Sequence, residues 1–254
     1  MLDIRQLTVR HGQNTVLTEV GFNLPEGQWL MVAGPNGAGK STLVHAIAQG
    51  LHYQGLVSFG GLDVRRMRPN ELARHIGVLS QSNQVVYGFT VKEVVNMGRY
   101  AYQKNRLSLA DEQGEQKVHD ALEMTGMLPL AQRSVLTLSG GELQRTFLAQ
   151  IFAQDPQLII LDEPANHLDL MYQKQTFELI GNWIKTPGKA AISVVHDISM
   201  ARAYGTLGML LHKGEMVAFG SNKDVLCKEN LQAVYGMDVQ GWMREMLAQW
   251  DGSC

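Results

Sequence analysis

Nine consecutive residues, Gly34-Pro35-Asn36-Gly37-Ala38-Gly39-Lys40-Ser41-Thr42, set glycines, a lysine and two hydroxyls in the order that phosphate binding needs. They fit the pattern G-x-x-x-x-G-K-[ST] without a mismatch. Glycines let the backbone curl so that its N–H groups point at a bound anion, and a following helix adds the positive end of its dipole. In that arrangement Lys40 reaches the β- and γ-phosphates and the Ser41 hydroxyl ligates Mg²⁺. The plain alternative is a glycine-rich turn that binds nothing. Lysine and hydroxyl following in the right order argue against it, so the stretch predicts a nucleoside triphosphate site.

Other residues suited to phosphate chemistry stand at the ends of apolar runs. Leu158-Ile159-Ile160-Leu161 leads into Asp162-Glu163, Ile76-Gly77-Val78-Leu79 into Ser80-Gln81, and Ala190 to Val195 into His196-Asp197. Asp162 is the expected Mg²⁺ partner, directly or through water. Glu163 beside it has the charge and reach to polarise an attacking water. Gln81 can hold metal and water through its amide, and His196 can donate to a γ-phosphate. An acidic pair after a strand also occurs as a helix cap or solvated turn, and a lone histidine as a structural one. The phosphate loop in the same chain, and the strand-end positions, favour the chemical reading.

These residues need a sheet whose strands end on one side, because open α/β sheets bind ligands beyond the carboxyl ends of their strands. Trp29 to Ala33 reads as a buried strand before the glycine loop, and Leu43 to Ala48 as a helix after it. Ile4 to Val9 and Val16 to Leu24 read as strands, and Gly60-Gly61 predicts a hairpin between Val57–Phe59 and Leu62–Val64. From about Ser82 to Pro156 the pattern turns helical. Val91 to Met97 has helical spacing, while Ser108 to Asp111 and Ser139 to Glu142 are capping boxes, opening helices toward Thr125 and Gln154. Strands return at Leu158 and Ala190, around a helix from Met171 to Ile184. The expected fold is α/β: a mainly parallel core sheet with an antiparallel β part, and a helical block inserted. The expected division is one domain over 1–254, with 1–81 and 156–254 as core and about 82–155 as the helical subdomain.

The length of 254 residues and a hydrophobic fraction of 45% suit such a domain. A net charge of −2 offers no bulk attraction to nucleic acid or anionic lipid. Arg65, Arg66 and Arg68 are read as a solvated face. Cys227 and Cys254 lack metal-ligand spacing. The opening Met1-Leu2-Asp3-Ile4-Arg5 is no signal peptide, and no apolar run approaches the ~18 residues of a membrane span. The chain is therefore expected to be intracellular and to reach any membrane through a partner.

Leu138-Ser139-Gly140-Gly141-Glu142-Leu143-Gln144-Arg145 resembles the signature motif of ABC ATPases, and the likeness runs from about Leu2 to Gly236. The residues agree with it, since glycines at a capped helix N-terminus make a second anion site. The resemblance implies the P-loop NTPase fold of the ABC ATPase type, ATP with Mg²⁺, and hydrolysis to ADP and phosphate. It implies that Ser139, Gly140, Gly141 and Glu142 face the ATP of a second copy of the ATPase subunit in a head-to-tail dimer. Asn166-His167-Leu168-Asp169 then lies at the dimer seam, Gln81 matches the Q-loop and His196 the switch histidine. Thr90 to Tyr100, His167 to Leu170 and Asn230 to Gly236 are most similar to ATPases of bacterial importers for iron–siderophore, haem or cobalamin. Such importers imply two transmembrane permease subunits, a periplasmic or lipid-anchored substrate-binding protein, and a place on the cytoplasmic face of the inner membrane. The alternatives are a soluble ABC ATPase of the cluster-assembly type and a nucleic-acid-linked one. The negative charge and the lack of a coiled-coil insertion count against the last, so no nucleic-acid partner is expected.

The chain departs from the family pattern in three places. His11 falls where the family stacks a tyrosine on adenine, and is expected to take that role more weakly. Glu142 stands where glutamine is commoner. The tail from Gly241 to Cys254 carries Trp242, Met243, Met246, Leu247 and Trp250 at amphipathic spacing, and is expected to pack on its own domain. The apolar cluster Val85, Val86, Tyr87 and Phe89 beside Gly88 is the expected coupling surface toward a membrane partner.

Overall fold

The structure, a computed structural model, describes residues 1–80, 87–102, 111, 113–166 and 168–250. Gln81, His167, Val85 and Val86 lie outside the described residues, as do Ser108 to Ala110 and Cys254. In chain order the elements begin with β1 (Leu2–His11), β2 (Asn14–Leu24), β3 (Trp29–Ala33), α1 (Lys40–Ile47), β4 (Gln54–Phe59), β5 (Leu62–Asp63), α2 (Pro69–His75) and β6 (Ile76–Leu79). They continue with α3 (Val91–Met97), α4 (Gly114–Met124), α5 (Gly140–Gln154), β7 (Leu158–Asp162), α6 (Leu170–Ile184) and β8 (Ala190–Val194). The last are α7 (Ile198–Tyr204), β9 (Leu207–His212), β10 (Glu215–Ser221), α8 (Asn222–Val225), α9 (Lys228–Tyr235) and α10 (Val239–Ala248). The chain forms two compact units: Met1–Leu2, Leu24–Trp29 and Ser58–Val194 make the first, and Asp3–Asn23, Leu30–Val57 and Val195–Cys254 the second.

In the first unit β6, β7 and β8 run parallel, Val78 facing Ile160 and Ile160 facing Ile192. Parallel strands are covered on both faces, and accordingly Leu158 to Leu161 and Ala190 to Ile192 are wholly buried. Trp29 donates from Nε1 to Ser193 Oγ at 2.9 Å and stacks on Phe177 of α6, which anchors that helix over the strands. The helical part is built around α5, whose Leu148, Ala149, Ile151 and Phe152 are buried. Gly98 ends α3 so close to the Gln150 carbonyl that a side chain there would collide with it. Arg99 follows, buried, pairing with Asp111 at 2.7 Å, donating to the Ala153 carbonyl at 2.8 Å and lying 3.8 Å from the Tyr102 ring centroid.

One local expectation is corrected here. The hairpin after Gly60-Gly61 is shorter than predicted: Ser58 pairs with Asp63, but Val64 opens a 3₁₀ turn. The Asp63 carboxylate accepts from Arg65 N–H and from its guanidinium, and this local cap outcompetes strand extension. The helix expected to run toward Thr125 is α4, Gly114–Met124, while the capping box expected at Ser108 lies outside the described residues; Asp111 pairs with Arg99.

In the second unit β3 pairs in parallel with β9, Ala33 facing Leu210, and β10 returns antiparallel beside β9. β2, β1 and β4 lie side by side in a separate sheet. α8 and α9 pack against β9 and β10, and α10 against α9. Among the described residues no helix is long and apolar enough to cross a membrane.

Candidate functional site

The second unit carries the glycine loop, between a fully buried strand and α1. Gly34 has φ +149° and is packed against the Leu211 carbonyl of β9, so no side chain fits there. Gly39 N-caps α1 at φ +100°, and a Cβ on it would lie 2.6 Å from Leu17 Cδ2. Gly37 differs: at φ +78° it is exposed and a Cβ would meet nothing within 4 Å. Two glycines thus serve the chain's own packing, while the third faces open space at the head of a helix. Lys40, only 6% exposed, donates from Nζ to the Gly34 carbonyl at 2.7 Å and to the Pro35 carbonyl at 2.9 Å. Ser41 and Thr42 are half-buried beside it and Asn36 is exposed. Two further parts of the unit brace the loop. The Gly214 N–H, in the β9–β10 turn, donates to the Ala38 carbonyl at 3.2 Å. The Tyr235 hydroxyl at the end of α9 bonds the Gly34 backbone N–H; burial raises the phenol above its ordinary range against that bond.

The carboxylates belong to the first unit. Asp162 closes β7 opposite Val194, 5% exposed. Glu163 follows at φ +56°, a left-handed conformation that side chains other than glycine adopt rarely. Its N–H donates to the Val194 carbonyl at 3.1 Å, and its Oε2 accepts from Asn166 Nδ2 at 2.6 Å. Backbone strain of this kind gathers at functional sites, where surrounding bonds hold it in place. Leu168 and Asp169 complete the turn, and Asp169 N-caps α6 by accepting from Tyr172 N–H at 3.0 Å.

The capped glycine helix is in the same unit. Ser139 is the N-cap of α5, accepting from Glu142 N–H at 3.3 Å while Glu142 Oε2 accepts from Ser139 N–H at 2.8 Å and from its hydroxyl at 3.0 Å. The Ser139 N–H, then its hydroxyl, hold the Glu142 carboxyl below the usual glutamate range. Gly140 is exposed and Gly141 buried behind it. His196, exposed at the start of the loop after β8, precedes Asp197, which N-caps α7 through Ser199 and Met200 N–H. His11 ends β1 and is exposed. Sequence reasoning missed Gly214, Tyr235 and Tyr172, which act on the motifs from far along the chain and carry no spacing signal.

The open glycine at the head of α1, beside a buried lysine, fits a nucleotide's phosphates. The Ser41 hydroxyl in the second unit and the Asp162 carboxylate in the first are each hard oxygens, the donor type that suits Mg²⁺. Among the described residues no cluster of three His, Cys, Asp or Glu could hold a metal.

The family model for the ABC transporter matches residues 17–166. The chain belongs to that family: it is an ABC ATPase, binding ATP with Mg²⁺, and its fold is the P-loop NTPase fold with a mainly parallel core sheet, an antiparallel part and a helical part. An ABC transporter ATP-binding protein of Bacillus subtilis, YvrA, is 37% identical over 90% of this chain, which spans 52% of that longer protein. The ferric enterobactin transport ATP-binding protein of Escherichia coli K12 is 34% identical over 91% of this chain and 86% of its own. A solved ATP-binding cassette, dimeric in a post-hydrolysis state with ADP and phosphate, matches with TM-score 0.75 at 25% identity over 88% of this chain and 99% of its own.

Proposed function

We propose that this chain is the ATP-hydrolysing subunit of a bacterial ABC importer for a metal chelate, an iron–siderophore first, with haem and cobalamin as the other candidates. The observation that carries the reading is the likeness to the ferric enterobactin protein along nearly the whole chain. Lys40 and the backbone of Gly34 to Thr42 bind the phosphates, and His11 packs on the adenine. Ser41, Asp162 and Gln81 ligate Mg²⁺, which when bound neutralises charge developing on the phosphoryl oxygens. Glu163 takes the proton of the attacking water and His196 donates to the γ-phosphate. Ser139 to Glu142 meet the ATP of a second copy, with Asn166, His167, Leu168 and Asp169 at the seam between copies. The region 82–155 acts as the helical subdomain that two permease subunits engage at the cytoplasmic face of the inner membrane. A substrate-binding protein delivers the chelate to that complex.

The test is purification from detergent-solubilised membranes, followed by ATPase assays in vesicles with ferric siderophores, haem and cobalamin. A many-span partner and chelate-stimulated hydrolysis are expected. Hydrolysis with no such partner would favour a soluble, cluster-assembly type of ABC ATPase.

A further inference from the structure

Helix α10 is tied to its own unit at its beginning. Val239 is buried, Asp238 caps the helix by accepting from Gly241 N–H at 2.9 Å, and Gln240 Nε2 donates to the Leu226 carbonyl at 3.1 Å. Met243 Sδ reaches Ser199 Oγ of α7 at 3.6 Å. Between α7, α9 and α10 runs a groove of about 400 Å³, with Ile198, Leu226, Leu231, Met243 and Leu247 as its apolar lining.

Two cations, Arg202 and Arg244, also line it. Arg202 donates to the Leu226 carbonyl at 3.0 Å, and Arg244 is exposed. Among the described residues neither has a carboxylate partner. Asp238 feels the charge of Arg244, but its carboxylate is bonded to Lys228 at 2.6 Å.

The same helix carries what the groove lacks. Trp242, Met246 and Trp250 are spaced by four, which sets them on one side of a helix, and all three are exposed. Trp250 lies just past α10, its N–H still bonded to the Leu247 carbonyl at 2.9 Å. Glu245 is exposed beside them and has no ion pair among the described residues. A face with apolar knobs and a carboxylate, next to an apolar groove with two cations, is complementary to itself. Self-complementarity is what a two-fold contact between identical subunits requires. Tryptophan, methionine and arginine are also the types enriched at protein interfaces. A lipid surface fits less well, because helices that lie on membranes carry many Lys and Arg on the polar face and α10 has Arg244 alone.

We propose that this face docks a second copy of the chain, reciprocally. The α10 of each copy lies in the groove of the other, setting Trp242, Met246 and Trp250 on the apolar lining and Glu245 against Arg202 and Arg244. The contact needs no nucleotide and is separate from the one at Ser139 to Glu142. Two tryptophans burying about 150–250 Å² each supply roughly half of the ~800 Å² per partner of a standard interface. The nucleotide-free dimer is therefore weak, with a Kd of roughly 1–100 μM.

The experiment is analytical ultracentrifugation of the full chain over a concentration series, reduced and without nucleotide, with thermal melting as the check on folding. Wild type should self-associate, and Met246→Glu, at an exposed position, should raise the Kd at least about ten-fold while melting like wild type. The charge swap tests reciprocity. Glu245→Arg alone, and Arg202→Glu with Arg244→Glu, should each stay monomeric, because like charges then meet in both halves of the contact. Mixed together they should form a heterodimer, every pair being opposite again.

A wild-type chain that stays monomeric throughout overturns the proposal. So does a dimer that survives Met246→Glu, or a mixture of folded charge variants that does not associate. Monomers that bind phosphatidylcholine–phosphatidylglycerol vesicles through Trp242 and Trp250 would assign the face to lipid and overturn it too. The signature contact is read separately, as the dimer of Glu163→Gln with ATP and Mg²⁺. That dimer should persist when Met246→Glu is added, and its loss would make the two contacts one and reject their separation.

Discussion

At the scale of single residues the chain divides its charges by task. Glu163 is strained, half-buried and held by Asn166, whereas Lys40 is turned onto the carbonyls of its own loop. Glu163→Gln keeps shape and loses basicity, so it should bind ATP yet slow turnover by about 10²–10⁴-fold, the usual worth of a general base. Size-exclusion with ATP and Mg²⁺ should show it accumulating as a dimer; a monomer with near-normal turnover would remove Glu163 from the role. Lys40→Ala should fail earlier, at nucleotide binding, in an equilibrium titration. An imidazole offers less stacking area than a phenol, so GTP should compete measurably with ATP at His11. Affinity unchanged in both His11→Tyr and His11→Ala would place the adenine elsewhere.

At the scale of elements, the ties between helices and loops are what mutations should expose. Tyr235→Phe removes one hydroxyl from the phosphate loop and nothing else of size. The Gly34 N–H then loses its acceptor, a loss of about 1–3 kcal/mol for a buried group. Lower nucleotide affinity is expected together with a melting temperature lower by several degrees, at about 2–4 °C per kcal/mol, and unaltered affinity would mean that the bond does not set the loop. Acid should act on α5 through Glu142. Because the folded state depresses its pKa, the capping contribution is fully present above the ordinary value of 4.5 and is lost as pH falls through the lower folded value. Glu142→Gln keeps the capping box without the titration, so its melting temperature should fall less steeply with acid below that value.

For the whole molecule, stability and coupling are separable. Arg99 is buried and joins α3 to Asp111 and to the last turn of α5, so Arg99→Ala leaves Asp111 without its cation and Ala153 without a donor. A cost of about 3 kcal/mol is expected, visible in denaturant unfolding. Tyr87 and Phe89 are different in kind: they are 69% and 39% exposed, with ring centroids 6.0 Å apart. Polar substitutions there should leave basal ATPase intact and abolish transport. Transport that survives them, with normal assembly, would move the coupling surface to another face. The tail departs from expectation: Trp242, Met246, Leu247 and Trp250 remain exposed and Met243 is half-buried, so the apolar residues expected to pack on the chain's own domain are largely uncovered, and the one buried residue of α10 is Val239 before them.

Much of this was legible in the order of residues, because the signals are local. The glycine loop, its lysine and hydroxyl, the run of apolar residues before Asp162 and the capping box at Ser139 each lie within one stretch of chain. Strand ends and helix starts follow from the same short-range patterns, which is why β3, β7, β8 and α5 fall where their sequences predict. Where local signals competed, the boundary moved, as at Val64, where the Asp63 side chain captured the backbone. What position 141 faces is another matter. Gly140 and Gly141 are the same residue in the same motif, and nothing in their spacing tells them apart. Only packing does so, by bringing Tyr172 against one and leaving the other open. The same holds for Tyr235 on Gly34 and Gly214 on Ala38, which are separated along the chain and joined only by the fold. Sequence set the chemistry available, since residue types and local spacing fix which groups can bind phosphate. Tertiary structure decided which side chains stand behind those groups, because that depends on neighbours the chain acquires only by folding.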